Sequence, residues 1–219
     1  MNDASLIDSS ALQEASTLAR RYWNTFERDP GAGRAIAGGN AVVIVDAQAL
    51  AITLPTVLDD LLGSAGAELS IYGFGKSYGL AAAQHFGTWA RSQGASEHCA
   101  GCGALFWPMH IGLAARITVL EAHTEPHVLL LVEITHGVLS EVRIGAGLDT
   151  RPARMLVSGV VSGALTQKFG QPLDARELSG DESTYRVVVA PPAGLAQDLA
   201  DPKLSAPTSS FTGAVVIEA

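Results

Sequence analysis

Two stretches constrain this chain more than any other feature, because each reads as a helix with a face of very small residues. The first is "GAELSIYGFGKSYGLAAAQHFGTWARSQG" (66–94), with Ile71, Phe74, Tyr78, Ala82 and Phe86 on one stripe and Gly75, Gly79, Ala82 and Ala83 as small positions. The second is "DTRPARMLVSGVVSGALTQKFG" (149–170), where Val157, Val161, Leu165 and Phe169 stand four apart and Ser158, Gly159, Ser162 and Gly163 form a small-residue face. A glycine inside a helix costs about 1 kcal/mol relative to alanine. Such a pattern therefore implies a neighbour packed at close range. Asp149 or Thr150 is placed to cap the second helix, Pro152 suits its first turn and Gly170 stops it.

The first stretch also contains phosphate-binding vocabulary, which fails on spacing. A phosphate loop needs Gly, four residues, then Gly-Lys-Ser/Thr; here Gly75-Lys76-Ser77 is preceded at the key position by Ser70. Gly73, Gly75 and Gly79 give G-x-G-x-x-x-G, one residue longer than the dinucleotide fingerprint. The expectation is a packing helix, and no nucleotide cofactor.

Other elements follow from periodicity. Residues 9–29 read as an amphipathic helix through Leu12, Ala15, Leu18, Ala19, Tyr22, Trp23 and Phe26, ended by "DPGAG". "NAVVIVD" (40–46) reads as a strand, followed by a helix running to Gly63. "ASEHCAGCG" (95–103) reads as a loop, and "ALFWPMHIGLA" as a short helix near Pro108. "ARITVLEAHTEPHVLLLVEIT" reads as a hairpin turning at His123–His127, "LSEVRIG" (139–145) as a possible extra strand, and "LDARELSGDESTYRVVVAPP" as a second hairpin. The order predicts an α+β fold, an antiparallel sheet packed on one face by helices. The expected organisation is a helical extension over 1–39, a ligand-binding domain over 40–192, and an Ala/Pro/Ser-rich tail over 193–219 in which "GAVVIEA" is a candidate edge strand.

Charge narrows the partners. The net charge is −8, and no basic cluster exceeds Arg20-Arg21, so neither nucleic acid nor an anionic membrane is an expected partner. No apolar run approaches the roughly 20 residues that span a bilayer. "MNDASLIDSSALQEAS" lacks a basic region followed by an apolar core. A cytoplasmic setting with reduced thiols is the expectation.

Chemistry concentrates in two places. "EHCAGCG" brings His98, Cys99 and Cys102 together, with His110 eight residues on. Three readings stay open: a zinc site, since Cys-x-x-Cys offers two sulfurs to one tetrahedral metal; a redox pair, if a helix N-terminus lowers a thiol pKa; or inert thiols. "LFWPMHI" gathers Phe106, Trp107, Met109 and His110, and its composition, apolar with a few polar groups, suits a ligand pocket. His136 is a further candidate at the end of the central strand, and Phe74 and Tyr78 are candidates for an opposite wall.

The segments "NAVVIVDAQALAITLPTVLDDLLG", "LSIYGFGKSYGLAAAQHF", "ITVLEAHTEPHVLLLVEITHGVLSE" and "ARMLVSGVVSGALTQKFGQPLDARELSGDESTYRVVV" together resemble the 4-vinyl-reductase-type domain family. That family shares a sandwich fold with transport-particle tethering subunits and aromatic-sensing regulator domains. The resemblance implies a homodimer, with helix 153–169 as a candidate surface, and a bound apolar or aromatic small molecule. It leaves three roles: a sensor or carrier, a reductase or isomerase acting on a polycyclic metabolite, or a structural tethering subunit. The family's own zinc site implies cysteines near positions where this chain has Arg176 and Thr184, so that site is not expected here. Its glutamate matches Glu177 or Asp174.

Overall fold

The structure, a computed structural model, describes residues 9–29, 31–32, 34–42, 45–123, 128–180 and 183–198. Helix α1 (Ser9–Trp23) leads into a small antiparallel meander, β1 (Glu27–Asp29), β2 (Arg34–Ala37) and β3 (Asn40–Val42). A π-helical turn (Ala49–Thr53) opens α2 (Leu54–Ser92), which is followed by α3 (Glu97–Gly103), a 3₁₀ turn (Ala104–Phe106) and α4 (Trp107–His110). The main sheet then forms from β4 (Ala114–His123), β5 (Leu129–His136), β6 (Asp174–Gly180) and β7 (Thr184–Ala190), in the antiparallel order β4-β5-β7-β6. Between β5 and β6 run α5 (Val138–Gly145) and α6 (Arg151–Phe169), and α7 (Pro192–Asp198) closes the described chain. The architecture is the expected α+β sandwich.

The small-residue helices explain their own glycines. A Cβ on Gly75 or Gly79 of α2 would run into the backbone carbonyls of Leu156 and Val160 in α6. Conversely, a Cβ on Gly159 or Gly163 would run into those of Tyr72 and Lys76. The two small faces meet each other, backbone against backbone, and the propensity cost of four helical glycines is offset by packing that larger residues would forbid. The 153–169 face is thus occupied within the chain, which removes it as the expected dimer surface. Ser162 lies fully buried in α6 and donates to the carbonyl of Leu173 at 2.8 Å, tying the helix to the start of β6.

Gly63 divides α2. Its φ of 71° and ψ of 165° are non-helical, a conformation that glycine reaches without a Cβ penalty. The two helices expected on either side of it are therefore present, joined by a sharp kink.

Register fixes which strand residues face the helices. Ile117 pairs with Ile134, Val119 with Val132, Val132 with Val187, and Ile134 with Tyr185. Because side chains alternate, Leu130, Val132, Ile134 and His136 of β5 share the inner face with Tyr185, Val187 and Val189 of β7. These pack into one core with Val157, Val161 and Leu165 of α6, Leu105, Phe106 and Met109, and Phe86 of α2. On the outer face Leu129, Val188 and Ala190 meet Leu195 of α7.

Several elements depart from the sequence expectations. The first helix ends at Trp23 rather than 29, since Asn24 onward turns into the β1–β3 meander. Nor is α1 an extension: Ala15, Leu18, Ala19 and Tyr22 belong to the core. The Tyr22 hydroxyl donates to the Ala37 carbonyl at 2.9 Å, and its ring meets Phe86 and Trp89 edge-on at 5.7 and 5.1 Å. Residues 138–145 form helix α5 instead of a strand. Leu139 and Arg143, four apart, are buried on one side of it, and Ile144 is exposed on the other. Residues 95–103 are mostly helical as α3, not a loop, and Pro192–Asp198 is helical where a tail was expected. The candidate strand "GAVVIEA" and the turn at 124–127 lie outside the described residues.

Candidate functional site

Three of the expected site residues, Phe106, Met109 and His136, are buried on the 3₁₀ turn, α4 and the end of β5. The 3₁₀ turn and α4 place Phe106 and Met109 in the core, at 1% and 5% exposure. The chain then turns through Gly112, whose carbonyl accepts the Val138 amide at 2.8 Å. This hydrogen bond holds the α4–β4 connection against the β5–α5 connection. His136 sits beside it, opposite Ala114 in the β4–β5 register, with its backbone amide donating to the Ser183 carbonyl at 2.9 Å. Gly137 follows because a Cβ there would strike the backbone of Gly112 and Leu113. The backbone of Trp107 and His110 belongs to α4; their side chains lie outside what the structure describes.

His136 is buried, and its ring lies 5.6 Å from that of Tyr185, tilted by 48°. Tyr185 is also buried, and desolvation pushes its phenol well above the ordinary tyrosine range. Its hydroxyl reaches the Arg154 carbonyl on α6 at 3.5 Å. Arg154 in turn pairs with Glu177 of β6 at 3.1 Å and donates to the Thr150 hydroxyl at 2.6 Å. An apolar interior thus ends in an imidazole–phenol pair backed by a partly buried ion pair. Such a boundary offers a planar, apolar guest contact area together with hydrogen-bonding groups. Tyr185 was not among the sequence candidates. The alternation of "TYRVVV", which puts Tyr185 with Val187 and Val189 on one face, carries the signal that finds it.

Phe74 and Tyr78 do not form an opposite wall. They are 53% and 38% exposed on the outer side of α2, stacked on each other with centroids 6.5 Å apart. The side of α2 that faces the interior carries Gly75, Gly79, Ala82 and Phe86 instead. Lys76 of the phosphate-like motif pairs with Asp174 at 2.5 Å, and Tyr72 donates to the same carboxylate at 3.2 Å.

The cysteines sit inside α3, not on a loop ahead of a helix N-terminus, and both are buried. Cys102 Sγ is 3.8 Å from His98 Nε2 and accepts from Lys168 Nζ at 3.1 Å. Burial pushes the Cys99 thiol up rather than down, opposite to what an activated thiol requires. Among the described residues no three His, Cys, Asp or Glu side chains are placed to hold a metal, so the zinc reading of His98, Cys99 and Cys102 has no geometric support.

A surface recess of about 250 Å³ lies at the α2 kink between Asp59, Glu68, Arg143 and Arg151. Three of its charged groups are engaged by the protein: Glu68 pairs with Arg151 at 2.7 Å, and buried Arg143 donates to the Ala51 carbonyl at 2.5 Å and to that of Asp149. No helix among the described residues is long and apolar enough to cross a membrane.

No protein-family model matches the chain, and no curated protein matches it. Among solved structures, the crystal structure of the phenol-responsive sensory domain of the transcription activator PoxR with phenol is similar, with a TM-score of 0.64 at 19% identity. The match spans 92% of this chain and all of that domain. The chain shares the fold of that aromatic-responsive domain, whereas the 4-vinyl-reductase resemblance rests on sequence segments alone.

Proposed function

We propose that this chain is a ligand-binding domain of the sensory type, and that its guest is a small apolar or aromatic molecule. The observation that carries the reading is the fold it shares, over nearly its whole length, with a phenol-responsive sensory domain. The site consists of Phe106, Met109, His136 and Tyr185, with Trp107 and His110 on the same short helix. In this reading the aromatic face of the guest packs among apolar side chains, and His136 or Tyr185 hydrogen-bonds any hydroxyl it carries. A hydrogen bond in such surroundings is worth about 1 kcal/mol net, and leaving its buried partner unsatisfied costs about 1–3 kcal/mol.

Calorimetric titration with phenol, benzene and naphthalene tests it. The expected outcome is saturable binding of at least one of them at one site per chain. His136→Ala then weakens phenol about tenfold and benzene much less, the ratio following from roughly 1.4 kcal/mol per decade. No saturable binding of any of the three up to its solubility would sink the reading.

A further inference from the structure

Lys168 reaches off α6 and ends on a sulfur rather than a carboxylate. Its Nζ donates to Cys102 Sγ of α3 at 3.1 Å, and among the described residues no acidic side chain forms an ion pair with it. The contact is built from both sides. A Cβ on Gly101 would come within 3.2 Å of Lys168 Cγ and 3.6 Å of its Nζ, so this glycine leaves the room in which the lysine stem lies. Cys102 is 2% exposed and belongs to the main core, which fixes its sulfur. A third group converges on the same atom. His98 Nε2, about one helical turn earlier, stands 3.8 Å from Sγ.

A small surface recess leads to this contact. Its volume is about 80 Å³, and Ala100 and Gly101 of α3, Ala164 and Lys168 of α6 and Gly87 of α2 contribute to its lining. One water needs about 10–15 Å³ of such space, so hydrogen peroxide has room to stand beside Lys168. Arg91 and Glu97, which also line the recess, pair with each other at 3.2 Å and leave the lysine to the sulfur. Cys99 is placed differently. Its thiol has Ser96 and Glu14 of α1 as hydrogen-bonding neighbours, whereas that of Cys102 meets α6. The two cysteines of the Cys-x-x-Cys thus serve different helices, and the nucleophile in contact with Cys102 is an amine.

We propose that Cys102 and Lys168 form a peroxide-responsive modification site, at which the two side chains join through a sulfur–nitrogen bond. In the first step Sγ attacks one peroxide oxygen and the O–O bond breaks. The sulfur is oxidised to a sulfenic acid and the peroxide is reduced to water; His98 stands where it can take the thiol proton and pass it to the departing hydroxide. In the second step Nζ, after releasing one ammonium proton to solvent, attacks the sulfenic sulfur. The S–N bond forms, the S–O bond breaks and a second water leaves, in the manner of sulfenic acids that condense with a nitrogen. The sum is thiol, ammonium and hydrogen peroxide giving sulfenamide, two waters and one proton. Contact distance makes the second step effectively unimolecular. The bond ties α3, which packs against α1, to α6, and it removes the charge of Lys168. None of these residues belongs to the His136–Tyr185 end of the sheet, so the proposal is independent of the ligand reading.

The test treats the folded full chain with near-stoichiometric hydrogen peroxide, caps free thiols with a maleimide in denaturant, and maps the tryptic peptides by mass spectrometry. The expected product lacks two hydrogens. Peptide 92–116, which holds both cysteines, is joined to peptide 155–176, because trypsin no longer cuts after a modified Lys168. Dithiothreitol separates the two. Cys102→Ser and Lys168→Arg each abolish the joined species, and Cys99→Ser leaves its yield unchanged; circular dichroism checks that the variants fold. The unmutated chain decides the matter even where a variant does not. A disulfide between Cys99 and Cys102 inside peptide 92–116, a sulfinic or sulfonic Cys102 with normal cleavage after Lys168, or a Cys102 that stays reduced would each overturn the proposal.

Discussion

The two faces of α2 are close to copies of each other in composition, yet one packs backbone against backbone on α6 and the other is left uncovered by the described residues. On the inner side, Gly75 and Gly79 touch the backbone of α6, which returns the contact through Gly159 and Gly163. On the outer side, Gly73 has open space above it, and Leu69 and Phe74 are more exposed than buried. The same spacing of small residues thus gives an intramolecular contact in one case and leaves a surface in the other. A small-residue stripe specifies how closely something can approach, not what approaches. That something is decided by where the rest of the chain is tethered: α6 is held against α2 by Tyr72 and Lys76, which reach Asp174 just beyond it.

This contrast has measurable consequences. The largest is at the seam. Gly163→Ala or Gly79→Ala forces a methyl group into a backbone carbonyl, and overpacking of this kind costs about 1–3 kcal/mol or more. Urea unfolding should show a loss near the upper end of that range. Gly73→Ala should have the opposite sign, a gain of up to about 1 kcal/mol from helix propensity, measured at concentrations where the chain is monomeric. Equal losses at Gly73 and Gly163 would break the comparison.

A smaller effect lies at the rim of the seam, where the Tyr72 hydroxyl donates to Asp174 and accepts the Ala175 amide at 2.8 Å. Burial raises its pKa, as it does for Tyr22 and Tyr185. The folded protein keeps these protons above the ordinary value of 10.0, whereas the unfolded chain releases them. Stability is therefore retained below pH 10 and declines as pH rises beyond it. Tyr72→Phe should cost about 1 kcal/mol at neutral pH and make the alkaline decline shallower. An unchanged alkaline slope would mean that Tyr72 is not desolvated by the seam.

The smallest expected effect is the coupling between Lys76 and Asp174. Both side chains are about 30% exposed, and pairs of that kind contribute about 0.2–1 kcal/mol. A double-mutant cycle that returned several kcal/mol would show the rim to be far drier than its exposure implies.

Much of the fold was legible in the sequence because periodicity is a local signal. The hairpin arms 114–123 and 129–136, the seam helices, the stop at Gly170 and the break at Gly63 all follow from residue spacing. What failed has identifiable causes. "LSEVRIG" has a strand's composition but lies where Gly137 turns the chain off the sheet, and burial of Leu139 and Arg143 on one side makes it a helix. "SEHCAGCG" reads as a loop because glycines and polar residues dominate it. It is helical because Cys99, Ala100, Cys102 and Gly103 are buried, with Gly103 packed under the Phe86 ring. Of the site candidates, Phe106, Met109 and His136 lie inside, and Phe74 and Tyr78 outside. The stripe joining Phe74 and Tyr78 to Ile71 and Phe86 was too broad for one helix face, and only the inner half of it is core.

By itself, then, the sequence determined the seam helices, the two hairpins of the main sheet and the need for two helices to approach at backbone distance, because propensity, turn chemistry and steric bulk act over a few residues. Only the tertiary structure decided which small face received α6 and which stayed open. It alone brought His136 and Tyr185, 49 positions apart by their numbering, to a ring distance of 5.6 Å. It also placed the cysteines in a buried helix rather than an accessible loop. Those outcomes depend on strand register and on competition among apolar surfaces for the same interior, and neither is written in any single stretch of residues.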